Sequence, residues 1–270
     1  MIPMMIGRDA QRARWWIDVS GGLIHGRSMP SKLLKLALRP FGYSASKHRP
    51  HLDPTLRLVR AAETRGVALI LDVGANRGQF ARGLFKAGYR GRVVSFEPLS
   101  TAHVELQAAA IGNDRWQVFR RCALGAAPGH AAINVSGNSQ SSSFLPMLDR
   151  HVNAAPSSRY VGTEETEILT LDQVLGEDLS GSTPVGVKID VQGYEHEVLK
   201  GLRAERGRVA LIYTELSLTP LYEGEAIFTQ VIDELAADGF RCVSLTPNFV
   251  DPKSYEMLDT NALFVRDTPA

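Results

Sequence analysis

Short apolar runs alternate with amphipathic stretches along most of this chain. Residues 67–73 (VALILDV), 91–97 (GRVVSFE), 116–122 (WQVFRRC), 185–191 (VGVKIDV) and 209–215 (VALIYTE) are compact and mostly apolar. Such runs fit parallel strands buried on both faces. Apolar positions at helical spacing lie between them, near 77–88, 100–111, 194–203 and 224–238, with a leading helix at 54–65. Two further runs, 241–245 and 261–266, have no helical stretch between them and predict an antiparallel pair at one edge. Strands alternating with helices predict an α/β doubly wound sheet of seven strands with helices on both faces.

Two regions break the alternation. Residues 125–180 form a long insertion between the third and fourth strands, with Ser139, Ser141, Ser142 and Ser143 among Gly and Asn. Within it, 131–135 and 167–171 read as extra strands, and a loop of this length is often functional. Residues 1–60 precede the core and are punctuated by Pro30, Pro40 and Pro50. The division expected is an N-terminal basic helical extension at 1–60 and a catalytic domain at 61–270.

Charge sharpens that division. The chain has 30 Lys or Arg and 29 Asp or Glu, but residues 1–60 hold 11 of the former and 3 of the latter. The remainder is acidic, 19 against 26. The basic segment also carries Trp15, Trp16, Leu33, Leu34, Leu36 and Leu38. It reads first as an amphipathic helix packed on its own domain with its cations in solvent. The second reading is peripheral contact with an anionic membrane surface. An acidic body argues against a nucleic-acid partner, which needs a basic face. Cys122 and Cys242 are too few for a disulfide framework or a zinc cluster. No apolar run reaches 18 residues, and the start resembles no leader, so the expected location is cytoplasmic, with the inner membrane face within reach of the basic segment.

Three patterns carry candidate chemistry. Asp72-Val73-Gly74-Ala75-Asn76-Arg77-Gly78 closes the first strand and opens a helix. Gly74 and Gly78 let backbone approach a ligand, and the helix start offers free N–H groups. The turn lacks the G-x-G-x-x-G of dinucleotide sites, and Asp72 would repel a diphosphate. A carboxylate there suits instead the cationic methionine end of S-adenosylmethionine. Glu97 ends the second strand, 25 residues after Asp72, near the spacing at which an acid receives ribose hydroxyls. A plain capping role is its structural alternative. Lys188-Ile189-Asp190-Val191-Gln192-Gly193-Tyr194-Glu195 ends the fourth strand. Lys188 and Asp190 share one strand face, and buried charges are costly unless paired or used. Asp190 is the candidate general base or metal ligand, with helix capping as its alternative. Glu215, at the end of strand five, can face the same cleft. Glu195 and His196 are weaker candidates, each more often a solvated helix residue.

DVGANRGQF at 72–80, SFEP at 95–98, the serines at 141–143 and KIDVQGYE at 188–195 resemble the FkbM family of methyltransferases. The resemblance spans about residues 67–266. It implies the Rossmann-like class I methyltransferase fold, whose sheet ends in an antiparallel pair. It also implies S-adenosyl-L-methionine as donor and O-methylation of a sugar, glycolipid or other small-molecule acceptor. Carried onto this chain, the donor site is Asp72, Gly74, Ala75, Asn76, Gly78, Phe80, Glu97, Pro98 and Ala123, and the catalytic set is Asp190, Glu215 and His196. The family commonly has Glu where this chain has Gln192; if that Glu binds a metal or acts as a base in the family, the role is lost or moved here. A hydroxyl is a poor nucleophile, so a base or a divalent metal should assist. The alternatives are an NAD(P)-dependent oxidoreductase on the same core and a non-catalytic S-adenosylmethionine-binding adapter.

Overall fold

In a computed structural model of the protein, residues 40 and 49–266 are described, except 180, 182 and 183. The chain divides into two units, Met1–His48 and Arg49–Ala270; of the basic extension expected at 1–60, residues 1–39 and 41–48 lie outside the described residues. The second unit starts with helix α1 (Pro54–Thr64). Asp53 accepts the Leu56 N–H at 3.0 Å and Pro54 occupies the first turn, two features that start helices. The boundary expected at residue 60 therefore falls inside a helix of the second unit.

The main sheet has the order β3-β2-β1-β7-β8-β10-β9. Its strands are β1 (Leu69–Val73), β2 (Arg92–Phe96), β3 (Trp116–Val118), β7 (Val185–Ile189), β8 (Val209–Ser217), β9 (Arg241–Pro247) and β10 (Asp259–Val265). The first five pair in parallel, while β10 runs antiparallel to both β8 and β9. Strand order reverses at β1, between β2 and β7, and open α/β sheets bind ligands outside the strand ends at such a switch.

Both sheet faces are covered, as strands without polar alternation require. Leu69, Leu71, Val73, Val187 and Ile189 pack toward Val198 and Leu199 of helix α5 (Glu195–Lys200) and Val231 and Leu235 of helix α6 (Phe228–Ala237). Ile70 and Val93 pack the other way. They meet α1, helix α2 (Gln79–Lys86) and Leu106 of helix α3 (Ser100–Ala110). This alternation also puts Asp72 and Lys188 on the α2 side, at registered positions of adjacent strands.

The third strand ends earlier than the sequence suggests. Expected over 116–122, it leaves the sheet after Val118. Arg120 pairs with Glu167, and Arg121 reaches the carbonyls of Pro98 and Glu165. These contacts draw the chain toward the insertion. There β4 (Ala123–Leu124) and β5 (Gly129–Ser136) flank β6 (Tyr160–Leu169) in a second sheet of order β4-β6-β5. The 131–135 strand falls within β5, and the 167–171 strand covers the end of β6. A short helix, α4 (Asp149–Ala154), lies between β5 and β6.

Candidate active site

A cavity of about 270 Å³ opens at the switch point. The β1 turn supplies Gly74, Ala75, Asn76 and, from α2, Phe80. The end of β2 supplies Glu97, Pro98 and Leu99. The chain beyond β3 adds Cys122, Ala123 and Leu124. The insertion closes one side with Ile133, Ser139, Ser142 and Phe144. Lys188, Asp190, Gln192, Tyr194, Glu215 and Asn248 line the rest.

Glu97 ties two of these walls together. Its Oε2 accepts the Asn76 N–H at 2.7 Å and its Oε1 the Leu99 N–H at 2.9 Å. Each oxygen keeps a further acceptor position, so capping and ligand binding are compatible. The side chain is only 4% exposed. Burial raises its pKa to about 7, against the pull of the two backbone N–H groups and Lys188.

Asp72 is not part of the wall. It is fully buried and its Oδ2 accepts the Ser95 hydroxyl at 3.0 Å. Lys188 Nζ lies 3.1 Å from its Oδ1. That oxygen has no aligned hydrogen bond, because the ammonium donates to the carbonyls of Val73 and Gly74 at 3.1 and 2.8 Å. Lys188 thus fastens the turn from beneath, and Asp72 balances its charge. The contact expected between Asp72 and a cationic ligand is corrected: the carboxylate is spent on the lysine and does not line the cavity.

The two glycines need a similar correction. Gly74 lines the cavity, but a Cβ there would sit 1.9 Å from the Asp190 carbonyl. Its missing side chain admits the end of β7 against the turn. Gly78 does not line the cavity. It is left-handed, φ 79°, and a Cβ would meet the Trp116 ring at 2.5 Å. Gly78→Ala is therefore expected to cost about 1–2 kcal/mol from the backbone conformation alone, plus the displacement of Trp116. A urea midpoint equal to wild type would contradict this packing role.

Asp190 and Glu215 both line the cavity, as expected, and Gln192 bridges them. Its Nε2 donates to Asp190 Oδ1 at 3.0 Å and to Glu215 Oε2 at 2.7 Å. Lys188 Nζ stands 3.6 Å from Asp190 Oδ2. Burial, and then the Asp190 charge, push Glu215 well above the usual carboxylate range. His196 leaves the catalytic set. It does not line the cavity, and its Nε2 lies 2.8 Å from Glu234 on α6. Glu195 is also not the solvated residue expected. It is buried and accepts the Val191 N–H at 2.9 Å, with its pKa raised to about 8 by burial.

That shift has a stability consequence. Unfolded, Glu195 ionises near 4.5, whereas folded it stays neutral to about 8. Its stabilising contribution is full below the lower value and is lost as pH rises toward the upper one. One pKa unit corresponds to about 1.4 kcal/mol. Allowing for local relaxation, we expect a loss on the order of 1 kcal/mol between pH 6 and pH 8. Glu195→Gln retains an acceptor for Val191 without the titration, so it should flatten this part of the profile. Equal pH slopes for the melting temperatures of the two proteins would rule the assignment out.

Phe144 and Asn248 are wall residues that no sequence pattern marks. Phe144 and Tyr194 pack together with ring centroids 5.0 Å apart, and Asn248 arrives from the loop after β9. No spacing rule marks a residue brought in by a loop. Among the described residues no group of three or more His, Cys, Asp or Glu is placed to hold a metal ion.

The parallel core, the antiparallel β9 and β10, and a cavity between a glycine turn and an acid at the end of β2 define the class I methyltransferase fold. The chain belongs to the FkbM methyltransferase domain family, whose sequence model matches residues 72–242, and it is an S-adenosylmethionine-dependent methyltransferase. A similar protein is the 2-O-methyltransferase NoeI of Sinorhizobium fredii. It is 26% identical over 224 residues, which are 81% of this chain and 90% of the relative. Two solved structures show a loose likeness. An rRNA methylase from Streptococcus thermophilus has 13% identity and a TM-score of 0.42, covering 82% of this chain and 99% of that one. An O-methyltransferase from Bacillus cereus, in complex with SAH, has 15% identity and a TM-score of 0.43, covering 87% and 90%. The fold assignment rests on strand order rather than on these two. Family membership overturns the oxidoreductase alternative, in line with the missing G-x-G-x-x-G.

Proposed function

We propose that the protein O-methylates a hydroxyl group of a sugar, in a glycolipid or a related small molecule. The observation that carries this reading is Asp190, a carboxylate held at the cavity wall with one oxygen bound by Gln192 and the other facing Lys188. A base so placed suits an acceptor that must lose a proton, as a sugar hydroxyl must. The relative that carries a 2-O-methyltransferase name supports oxygen as the atom methylated.

The cavity fits the donor. Glu97 offers acceptor positions to two ribose hydroxyls. Pro98, Leu99, Ala123, Ile133 and Phe144 line the cavity with apolar surface, which suits a flat base. When bound, S-adenosylmethionine supplies an electrophilic methyl group. The chain's own part is alignment, which turns an encounter of two molecules into a nearly unimolecular step. Asp190 accepts the hydroxyl proton as the acceptor oxygen takes the methyl. Glu215, raised by burial, stays beside it as a hydrogen-bonding neighbour.

No described helix is long and apolar enough to cross a membrane. In this reading the basic segment 1–60 brings the enzyme to an anionic surface where a glycolipid acceptor resides. Comparison by mass spectrometry of glycolipids from a strain with and without the protein tests the proposal. A sugar one methyl group lighter in the deficient strain is expected. Identical glycolipids and sugars in both strains would refute it.

A further inference from the structure

The turn after β7 is organised by one side chain. Gln192 has φ 58°, a left-handed conformation that a residue with a side chain keeps only when its surroundings impose it. Ser143 Oγ donates to its carbonyl at 2.6 Å. Tyr222, itself buried, donates its hydroxyl to Oε1 at 2.9 Å. With Oε1 held by Tyr222, the amide nitrogen faces the other way, toward Asp190 and Glu215. Its two hydrogens meet two carboxylate oxygens. Asn248 Nδ2 takes the remaining oxygen of Glu215. Both oxygens of Glu215 thus hold a donor, while the nearest cation to Asp190 Oδ2 is Lys188 Nζ at 3.6 Å.

Two acids converging on one point must share a proton, bind a cation or receive donors between them. Here a primary amide fills that point, and its orientation is fixed from behind by Tyr222. We propose that Gln192 is a positioning residue whose amide stands in for a divalent cation between Asp190 and Glu215, leaving methyl transfer independent of metal and Asp190 Oδ2 as the proton acceptor. This deepens the reading of Asp190 as the base and rests on it. A carboxylate at position 192 would instead gather three acids around one point, the donor set that hard cations take.

Mn²⁺ is the probe, added to the whole chain and followed by the paramagnetic resonance of the free ion. The wild-type protein is expected to leave Mn²⁺ free up to about 1 mM, the weak end of natural carboxylate sites. Gln192→Glu is expected to bind it at least about tenfold more tightly, and adding Asp190→Asn should abolish that gain. A merely structural glutamine would not produce this gain. Should Gln192→Glu not fold, Gln192→Asp replaces it. Tight Mn²⁺ binding by wild type that Asp190→Asn removes would overturn the proposal. So would a folded acidic variant that binds no better than wild type. The donor takes no part in these measurements, so their failure is distinct from a failure to methylate sugar.

Discussion

Asp190→Asn is expected to slow single-turnover methyl transfer by about 10²–10⁴, the usual contribution of a general base. Asparagine keeps the shape of the side chain and can still meet Gln192 through its carbonyl oxygen. It removes the charge that Lys188 faces at 3.6 Å and the ability to accept a proton. Asp190 also lies just beyond the end of β7, at a place where helix caps are common. Were capping its only task, asparagine would serve nearly as well. The structure already weakens that alternative: the first turn of α5 is entered from Tyr194 with no side-chain cap. Donor affinity should change little, because Glu97 and the β1 turn lie on other walls. Transfer at close to the wild-type rate, with an unchanged melting curve, would remove Asp190 from the chemistry.

Glu97→Ala is expected to weaken S-adenosylmethionine binding by about 1.5–3 kcal/mol, the range for hydrogen bonds to a charged group. That corresponds to roughly 10-fold to 150-fold in affinity. The same variant unties Asn76 from Leu99, so part of the loss comes from a looser turn, and a melting curve separates the two. A pH series gives the sharper evidence. With its pKa near 7, the carboxyl is largely neutral in mildly acidic solution and accepts hydroxyl protons poorly. Wild-type affinity should therefore fall as pH drops below about 7, by up to about tenfold per unit. Glu97→Ala should lose that dependence. A donor affinity independent of pH in the wild type would contradict the assignment of Glu97 to the ribose.

The strand–helix alternation, the antiparallel edge pair and the acids at strand ends are legible in the sequence because they follow from local rules. Apolar runs of five to seven residues between helical stretches admit few topologies, and acids at the ends of β2, β7 and β8 stand out in such runs. Charge partners were not legible. Asp72 and Lys188 are 116 positions apart in sequence, and only the register of β1 on β7 shows that they meet. Sequence alone therefore offers Asp72 to a ligand, whereas in the structure it pairs with the lysine and lies off the cavity wall. Gly78 failed for the same reason, since its neighbour is Trp116 on β3. His196 has the right composition for catalysis, but helical rotation turns it toward Glu234. Phe144 and Asn248 come from the insertion and the β9–β10 loop, where no periodicity applies. Gln192 was visible as a departure from the family pattern. Its role became readable only once Tyr222 and both carboxylates were in place around it.

The central claim is that one cavity holds the donor through Glu97 and performs transfer through Asp190. Calorimetric titration of S-adenosylmethionine into wild type, Glu97→Ala and Asp190→Asn, with NAD as control ligand, tests it most directly. Binding by the wild type and by Asp190→Asn with similar affinity, a 10-fold to 150-fold loss in Glu97→Ala, and no heat with NAD are expected. Equal donor affinity in all three proteins, or a loss confined to Asp190→Asn, would contradict it.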